Sequence, residues 1–257
     1  MTGRTAALLP DLYVDLQPAG WRFVPRPGID TRRARDLLQR DLDAAEQAFE
    51  GYAGPFKVQV AGPWTLAATI ELHRGDRALS DRGAVRDLAD ALTEGIERHV
   101  ADVRRRIPGA EVLVQLDEPA LPAVVEGRVP TASGFGTLRA VPRPEVIELL
   151  RAAGHGVHCC AADVPLDLLA GAAFVSLDLA LLAPRQYDAL GALLDGGTVL
   201  FAGTTDPDGA RRVARDAGAT RIVVTPPCGL AGSSPDEART TLRRVREVAA
   251  RLAEEDQ

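Results

Sequence analysis

The sequence predicts an α/β fold built on parallel strands. Helical and strand patterns alternate along most of the chain, and the strands read as continuous apolar runs, which is typical of parallel sheets buried on both faces. Neither a dinucleotide-binding glycine motif nor a phosphate-loop motif occurs. A (β/α)8 barrel and a doubly wound sheet both fit this order, although the six identified strands fall two short of a full barrel.

Several short segments have the composition of buried strands. They cover residues 56–62, 111–121, 155–160, 174–182, 198–205 and 221–230. The segment 11–24 offers a further strand, but proline and glycine interrupt it, which makes it the weakest of the candidates.

Helical spacing of leucine, valine and alanine marks the segments between and after these strands. The predicted helices cover residues 31–50, 65–73, 85–107, 143–154, 165–171, 184–195, 207–218 and 234–255. His73 and His99 lie on two of them among charged residues, so we expect both histidines at the surface.

Composition excludes several classes of protein. The 257 residues are 46% hydrophobic and 26% charged with a net charge of −6, and the basic runs are interleaved with acidic residues. This gives no electrostatic reason to expect a nucleic-acid partner. Three cysteines do not make a disulfide framework, and no apolar run is long enough for a signal peptide or a membrane helix. We therefore expect a cytoplasmic protein with no membrane partner.

Polar residues that could bind a metal or take part in catalysis fall at the carboxyl ends of the predicted strands. Parallel α/β folds build their active sites there. These polar residues are Asp117, Glu118, His158, Cys160, Asp178 and Cys228. Structural cysteines would instead be scattered through strand interiors and helix faces. This arrangement predicts a functional site at the strand ends.

Strand geometry predicts which of these side chains act together. Side chains alternate along a strand, so His158 and Cys160 share one face while Cys159 points to the other and is expected to fill the core. His155 competes with His158 for a ligand role, but its spacing from Cys160 is less favourable. Cys228 follows two prolines and is expected on a loop. One imidazole and two thiolates suit tetrahedral zinc.

The motifs together resemble a known family. QLDEPAL (115–121), HCC (158–160), FVSLD (174–178) and PPCGL (226–230) are similar, in this order, to the C-terminal catalytic barrel of cobalamin-independent methionine synthase. VAGPWTLA (60–67) resembles a turn that this family shares with uroporphyrinogen decarboxylases.

The resemblance spans roughly residues 56–230 and implies a (β/α)8-type barrel forming one domain over residues 1–257. Nothing matches the Gly-Ser-x-Pro strand that opens the family's barrel. The barrel is therefore expected to lack its first strand or to have it truncated, unless the true start lies upstream.

The resemblance also implies roles for individual residues. His158, Cys160, Asp178 and Cys228 take the places of the family's zinc ligands, and Asp178 is one methylene shorter than the glutamate usual there. Asp117 takes the place of the catalytic aspartate that holds the amino group of homocysteine. Asp117 and Glu118 are together expected to bind substrate.

The function implied is zinc-dependent transfer of a methyl group to the thiol of homocysteine, as in methionine biosynthesis, or to a related small thiol. The methyl donor is expected to be a methyl-folate or a methylated corrinoid protein. Two alternatives stay open: a degenerate barrel that keeps zinc without catalysis, and a relative of uroporphyrinogen decarboxylases or corrinoid methyltransferases.

Overall fold

The computed structural model describes residues 1–153 and 155–255. The chain divides into two compact units, Met1–Leu149 and Leu150–Gln257. Each unit contains parallel strands alternating with helices, so the predicted α/β class is confirmed. Gly154, expected to end a helix, lies outside the described residues. Within the described ranges, no helix is both long and apolar enough to cross a membrane.

The first unit contains four strands and most of the helical residues. Its strands are β1 (Tyr13–Gln17), β2 (Gly20–Val24), β3 (Ala53–Ala61) and β4 (Gly109–Asp117). Its helices are α1 (Thr2–Ala6), α2 (Ile29–Ala48), α3 (Pro63–Thr69), α4 (Arg82–Arg106), α5 (Leu121–Val125) and α6 (Arg143–Ala153), the last continuing into the second unit. A single turn of 3₁₀ helix covers Ala78–Ser80.

The strands β3 and β4 pair in parallel, and their two faces differ. One face presents Phe56, Val58 and Val112 to a helix-borne apolar cluster. That cluster consists of Leu38, Leu42 and Val103. Because side chains alternate along both strands, the polar residues between these apolar ones point to the opposite face.

The segment 11–24 does not supply a parallel barrel strand, so this expectation was wrong. It folds back on itself as an antiparallel hairpin in which β1 pairs with β2, from Tyr13 opposite Val24 to Gln17 opposite Gly20. Pro18 lies in the two-residue turn, and Gly20, the first residue of β2, has a positive φ of 130° that glycine adopts readily.

The expectation of a surface position holds for His73, which is exposed, and is wrong for His99, which is buried in α4. His99 belongs to the apolar stripe of that helix, three residues after Ile96 and four before Val103. Its charged sequence neighbours lie on the other faces of the helix. Burial, and to a smaller extent the charge of Arg4, lower the pKa of His99.

The second unit contains four parallel strands in sequence order. They are β5 (Gly156–Cys159), β6 (Phe174–Asp178), β7 (Val199–Gly203) and β8 (Ile222–Thr225). Its further helices are α7 (Tyr187–Asp195), α8 (Pro207–Asp216) and α9 (Pro235–Glu255), and 3₁₀ turns cover Leu166–Leu169 and Pro184–Gln186. All six strands predicted from composition are thus present.

The two faces of this four-stranded sheet also differ. Val175, Leu200 and Ala202 lie on one face and are fully buried. The opposite face carries a row in which His158 is level with Ser176 and Ser176 is level with Phe201. Parallel pairing in register brings these three side chains next to one another. The polar end of this face is where the candidate site lies.

Candidate functional site

Three potential metal ligands come together at the strand ends of the second unit. The donor atoms of His158, Cys160 and Cys228 all lie within 4.8 Å of one another. The sulfur atoms of Cys160 and Cys228 are 3.6 Å apart, although 68 positions separate the two residues in sequence. His158 is in β5, Cys160 directly follows that strand, and Cys228 lies on the loop after β8. The sheet therefore brings these residues together in the combination that the sequence predicted.

The spacing of these donors fits zinc. Two thiolates on a tetrahedral zinc ion, each about 2.3 Å from the metal, are about 3.8 Å apart. The observed separation of the Cys160 and Cys228 sulfur atoms, 3.6 Å, is close to this value. It is far from the ~2.05 Å of a disulfide bond. A site with one nitrogen and two sulfur donors prefers zinc over hard cations such as Mg²⁺ or Ca²⁺.

The imidazole of His158 is oriented by the neighbouring strand. Its Nδ1 lies 3.0 Å from the backbone oxygen of Ser176 and 3.2 Å from the Ser176 hydroxyl. A carbonyl oxygen only accepts hydrogen bonds, so Nδ1 carries the proton and donates it. The lone pair of the neutral ring is then on Nε2, which is the tautomer that a metal ligand needs. Ser176 was not expected as a partner of the site from the sequence.

The loop that carries Cys228 is positioned by a close contact with β7. A Cβ atom added to Gly203 would lie 2.8 Å from the Cα of Pro227 and 2.6 Å from the backbone oxygen of Leu177. Both distances are too short for any other residue at this position without a shift of the backbone. Gly203 therefore allows the loop to approach the sheet and bring Cys228, which is exposed, to Cys160.

The competing residues lie elsewhere, as the alternation of side chains predicted. Cys159 is 1% exposed and fills the core behind the sheet. His155 lines a small cavity of about 50 Å³ with Leu168 and Leu169, and it is not part of the group of donors. Burial lowers the pKa of His155, which favours the neutral ring. The structure thus places His158 rather than His155 beside the two thiols.

Asp178 does not belong to the group of mutually close donors. It ends β6, and its Oδ1 accepts a hydrogen bond of 3.0 Å from the backbone N–H of Ala180. This bond holds the turn that follows the strand. The assignment of Asp178 as a further zinc ligand stays a prediction.

Glu118 lies in the first unit and is fully buried. Its carboxylate accepts hydrogen bonds from the Trp64 N–H at 3.0 Å and from both the N–H and the hydroxyl of Thr65 at 2.7 Å. Gly62 leaves room for this carboxylate at the start of α3. Desolvation outweighs the three hydrogen bonds and raises the pKa of Glu118 to about 7. Glu118 joins β4 to α3, and its assignment to substrate binding stays a prediction.

Asp117, next to Glu118, is only partly buried and faces the opposite side of the strand. Its Oδ1 accepts a hydrogen bond of 2.7 Å from the side-chain amide of Gln115, whose carbonyl oxygen accepts one of 2.7 Å from Lys57. Neither Gln115 nor Lys57 was expected as a neighbour of Asp117 from the sequence. One signal was available, since Lys57 is the only lysine among the 30 basic residues of the chain.

Comparison of the chain with models of known protein families yields no match, and comparison with curated proteins yields none either. The family resemblance therefore rests on the motifs quoted above, and the chemistry of the site has to be argued from its own residues.

Proposed function

We propose that this protein is a zinc-dependent methyltransferase that methylates the thiol of homocysteine or of a related small thiol. The observation that supports this proposal most strongly is the grouping of His158, Cys160 and Cys228 within 4.8 Å of one another at the ends of parallel strands. Three clustered protein donors leave a tetrahedral zinc ion one further position, which a substrate thiol or a fourth protein ligand can take.

The chain's own residues have distinct tasks in this proposal. Cys160 and Cys228 hold the metal as thiolates, and their charge keeps it electron-rich. His158 binds through Nε2, because the backbone oxygen of Ser176 accepts the proton on Nδ1. Asp178 is proposed as a fourth ligand, direct or bridged by water.

A free thiol has a pKa near 8.5, so only a small fraction is nucleophilic at neutral pH. Zinc held by these residues would lower the pKa of a substrate thiol and so raise the fraction present as thiolate. In the transfer, a sulfur–carbon bond forms as the bond between the methyl carbon and the donor breaks. The donor keeps the bonding electron pair. A methyl-folate and a methylated corrinoid protein are both suitable donors.

The family resemblance assigns the amino group of the substrate to Asp117. A carboxylate binds a primary ammonium group through charge-assisted hydrogen bonds, which are stronger than neutral ones. An acceptor that carries both an amino group and a thiol, such as homocysteine, is therefore preferred over a simple thiol in this proposal.

The proposal extends to the type of barrel and to the cellular compartment. We propose a barrel of the (β/α)8 type. It is supported by the order of strands and helices and by the parallel pairing inside each unit. We also propose a cytoplasmic location, because a reducing compartment keeps Cys160 and Cys228 available as thiols.

Metal analysis and a thiol titration test the function. We expect about one zinc per chain in the purified protein. In the cobalt-substituted protein, adding homocysteine should produce a sulfur-to-cobalt charge-transfer band, and methyl-folate or a methyl-corrinoid should then yield methionine. A protein without bound metal would contradict the proposal. Zinc binding without any response to thiols would instead identify a non-catalytic zinc site.

A further inference from the structure

Phe135 stands out among the apolar residues at the surface of the first unit. Its side chain is 98% exposed, whereas Ile29, the next most exposed large apolar residue of the described chain, is 71% exposed. Phe135 lies in an uncharged loop between α5 and α6, residues 129–138 (the Phe135 loop). Single exposed apolar residues are common on proteins, so the conformation of the loop and its surroundings decide whether this one has a role.

Hydrogen bonds hold the Phe135 loop in one conformation. At its base, the backbone N–H of Leu138 donates to the backbone oxygen of Val129 at 2.8 Å. Nearer its tip, the N–H of Thr131 donates to the backbone oxygen of Gly136 at 2.9 Å. The exposure of Phe135 is therefore a property of an ordered turn.

Two further hydrogen bonds fix the loop to the segment after α3. The N–H of Ala132 donates to Oδ1 of Asp76 at 2.8 Å, and Nε of Arg77 donates to the backbone oxygen of Pro130 at 2.8 Å. These contacts hold the loop against the first unit while the Phe135 side chain remains in solvent. Because the turn is already ordered, burial of Phe135 against a partner costs little backbone entropy.

A groove with largely apolar walls lies beside the loop, between α4 and α6. The large apolar residues that line it are Trp64, Leu79, Val85, Leu138, Val141 and Leu149. Its volume is about 700 Å³, within the ~300–1,000 Å³ range of small-ligand pockets, so an aromatic side chain fits in it. Leu138 belongs both to the loop and to the wall of the groove, so the two lie side by side on one surface of the first unit.

Charges of both signs line the same groove. Arg82 on α4 forms an ion pair of 3.0 Å with Glu145 on α6. Arg86, Arg139 and Glu148 form none with any residue that the structure describes. A surface that carries unpaired charges of both signs is complementary to a copy of itself, whereas a partner of one sign would match only part of it. The charges therefore favour a second copy of this chain as the partner.

We propose that this surface is the interface between two copies of the chain, in which Phe135 of each copy enters the groove between α4 and α6 of the other. A two-fold axis makes the two insertions equivalent, because each copy presents a loop and a groove side by side. The loop brings no charge into the groove, so its burial leaves no charged group without water. The dimer goes beyond the proposed function and does not depend on it.

Sedimentation velocity tests the dimer. Across the micromolar range the native chain should show a reversible equilibrium between monomer and dimer. Phe135→Ser should raise the dissociation constant roughly 100-fold or more, because each dimer loses two buried phenylalanine side chains. Phe135→Leu keeps an apolar side chain and should retain most of the association. A native chain that is monomeric throughout this range, or a dimer that survives Phe135→Ser, would overturn the proposal.

Further variants separate this interface from a general effect of exposed apolar groups. Ile29→Ser is the matched control, since Ile29 is exposed on the same unit but belongs to neither the loop nor the groove, and it should leave the dissociation constant unchanged. Leu79→Ser alters the wall of the groove and should weaken the dimer about tenfold. The urea unfolding midpoint should stay constant in the Phe135 variants, because that side chain is almost fully exposed. Equal weakening by Ile29→Ser and Phe135→Ser would show that the interface lies elsewhere.

The fluorescence of Trp64 reports directly on the groove. The chain has two tryptophans, so Trp21→Phe leaves Trp64 as the only one. In this background the emission of Trp64, which lines the groove, should change over the same range of protein concentration as the sedimentation coefficient. Phe135→Ser should abolish this change. A dimer that forms without any change in Trp64 emission would show that Phe135 does not enter this groove.

Discussion

Two pairs of adjacent residues, Asp117–Glu118 in the first unit and Cys159–Cys160 in the second, occupy the same kind of position. Each pair lies at the carboxyl end of a parallel strand. The first pair consists of two carboxyl groups and the second of two thiols. The strand turns one member of each pair into the protein. Glu118 is 0% and Cys159 1% exposed, whereas Asp117 and Cys160 are only partly buried.

The pairs differ in what the buried member requires. A buried thiol behaves as a small apolar group. Burying a neutral polar group without hydrogen bonds costs about 2–7 kcal/mol. A buried carboxyl group therefore needs hydrogen bonds in place of the water it loses. Glu118 accordingly has three donors from α3. The buried glutamate therefore joins β4 to α3 through hydrogen bonds, whereas the buried cysteine packs into the apolar core.

The strongest test of this comparison concerns the cysteines. Cys160→Ser and Cys228→Ser should each weaken zinc binding about 100-fold or more, because each removes one of few ligands. Cys159→Ser should leave zinc content nearly unchanged, since Cys159 faces the core. Metal analysis after dialysis against a weak chelator measures the effect. Equal zinc loss in all three variants would show that the adjacent pair binds the metal as a unit and that the alternation argument fails.

The next test concerns Glu118. Glu118→Gln should lower the free energy of unfolding by ~1–3 kcal/mol at pH 5, because an amide turns its NH₂ toward a backbone N–H that needs an acceptor. Glu97→Gln, on the exposed part of α4, is the matched control and should have almost no effect. Urea unfolding measures both. A Glu118→Gln protein as stable as the native one would show that the three hydrogen bonds contribute little.

The same residue predicts a pH dependence. The pKa of Glu118 is about 7 in the folded protein, above its ordinary value of 4.5. The folded state therefore binds more protons than the unfolded state between these values, and this contribution to stability declines as the pH rises. It should amount to about 3 kcal/mol in total. The Glu118→Gln protein lacks this pH-dependent contribution. The difference in free energy of unfolding between the native protein and Glu118→Gln, measured by urea unfolding, should therefore narrow from pH 5 to pH 8.

A smaller effect is expected at the contact that positions the Cys228 loop. Gly203→Ala places a methyl group against Pro227 and the backbone oxygen of Leu177, so the loop must move. Zinc affinity should fall about tenfold although no ligand is changed, as happens when groups that orient metal ligands are lost. Gly232→Ala has open space around it and is the control. Unchanged affinity in Gly203→Ala would mean that the loop adapts freely.

The smallest expected effect is spectroscopic. If Asp178 is a direct ligand, Asp178→Asn should alter the cobalt d–d bands of the substituted protein while the hydrogen bond to Ala180 persists. The bands report the ligand field, so they respond even when affinity changes little. Identical spectra would exclude Asp178 as a direct ligand and leave a site of His158, Cys160 and Cys228.

Local sequence patterns were sufficient for the α/β class, the six parallel strands and the separation of Cys159 from Cys160. Each depends on periodicity or on alternation along a single strand, which neighbouring residues determine. The hairpin at 11–24 and the burial of His99 were missed for a related reason. Apolar spacing alone does not tell whether a short strand pairs with its own continuation or whether a histidine belongs to the apolar stripe.

Other features depended on contacts between residues far apart in sequence. The 3.6 Å approach of Cys228 to Cys160 requires the register of four strands and a glycine at position 203. The orientation of His158 depends on a backbone oxygen, which no side-chain pattern reveals. Only parallel pairing of β3 with β4 connects Lys57 to Gln115, 58 residues later. Sequence identified the reactive groups, whereas tertiary structure determined their partners, because hydrogen bonds and metal sites depend on distance in space.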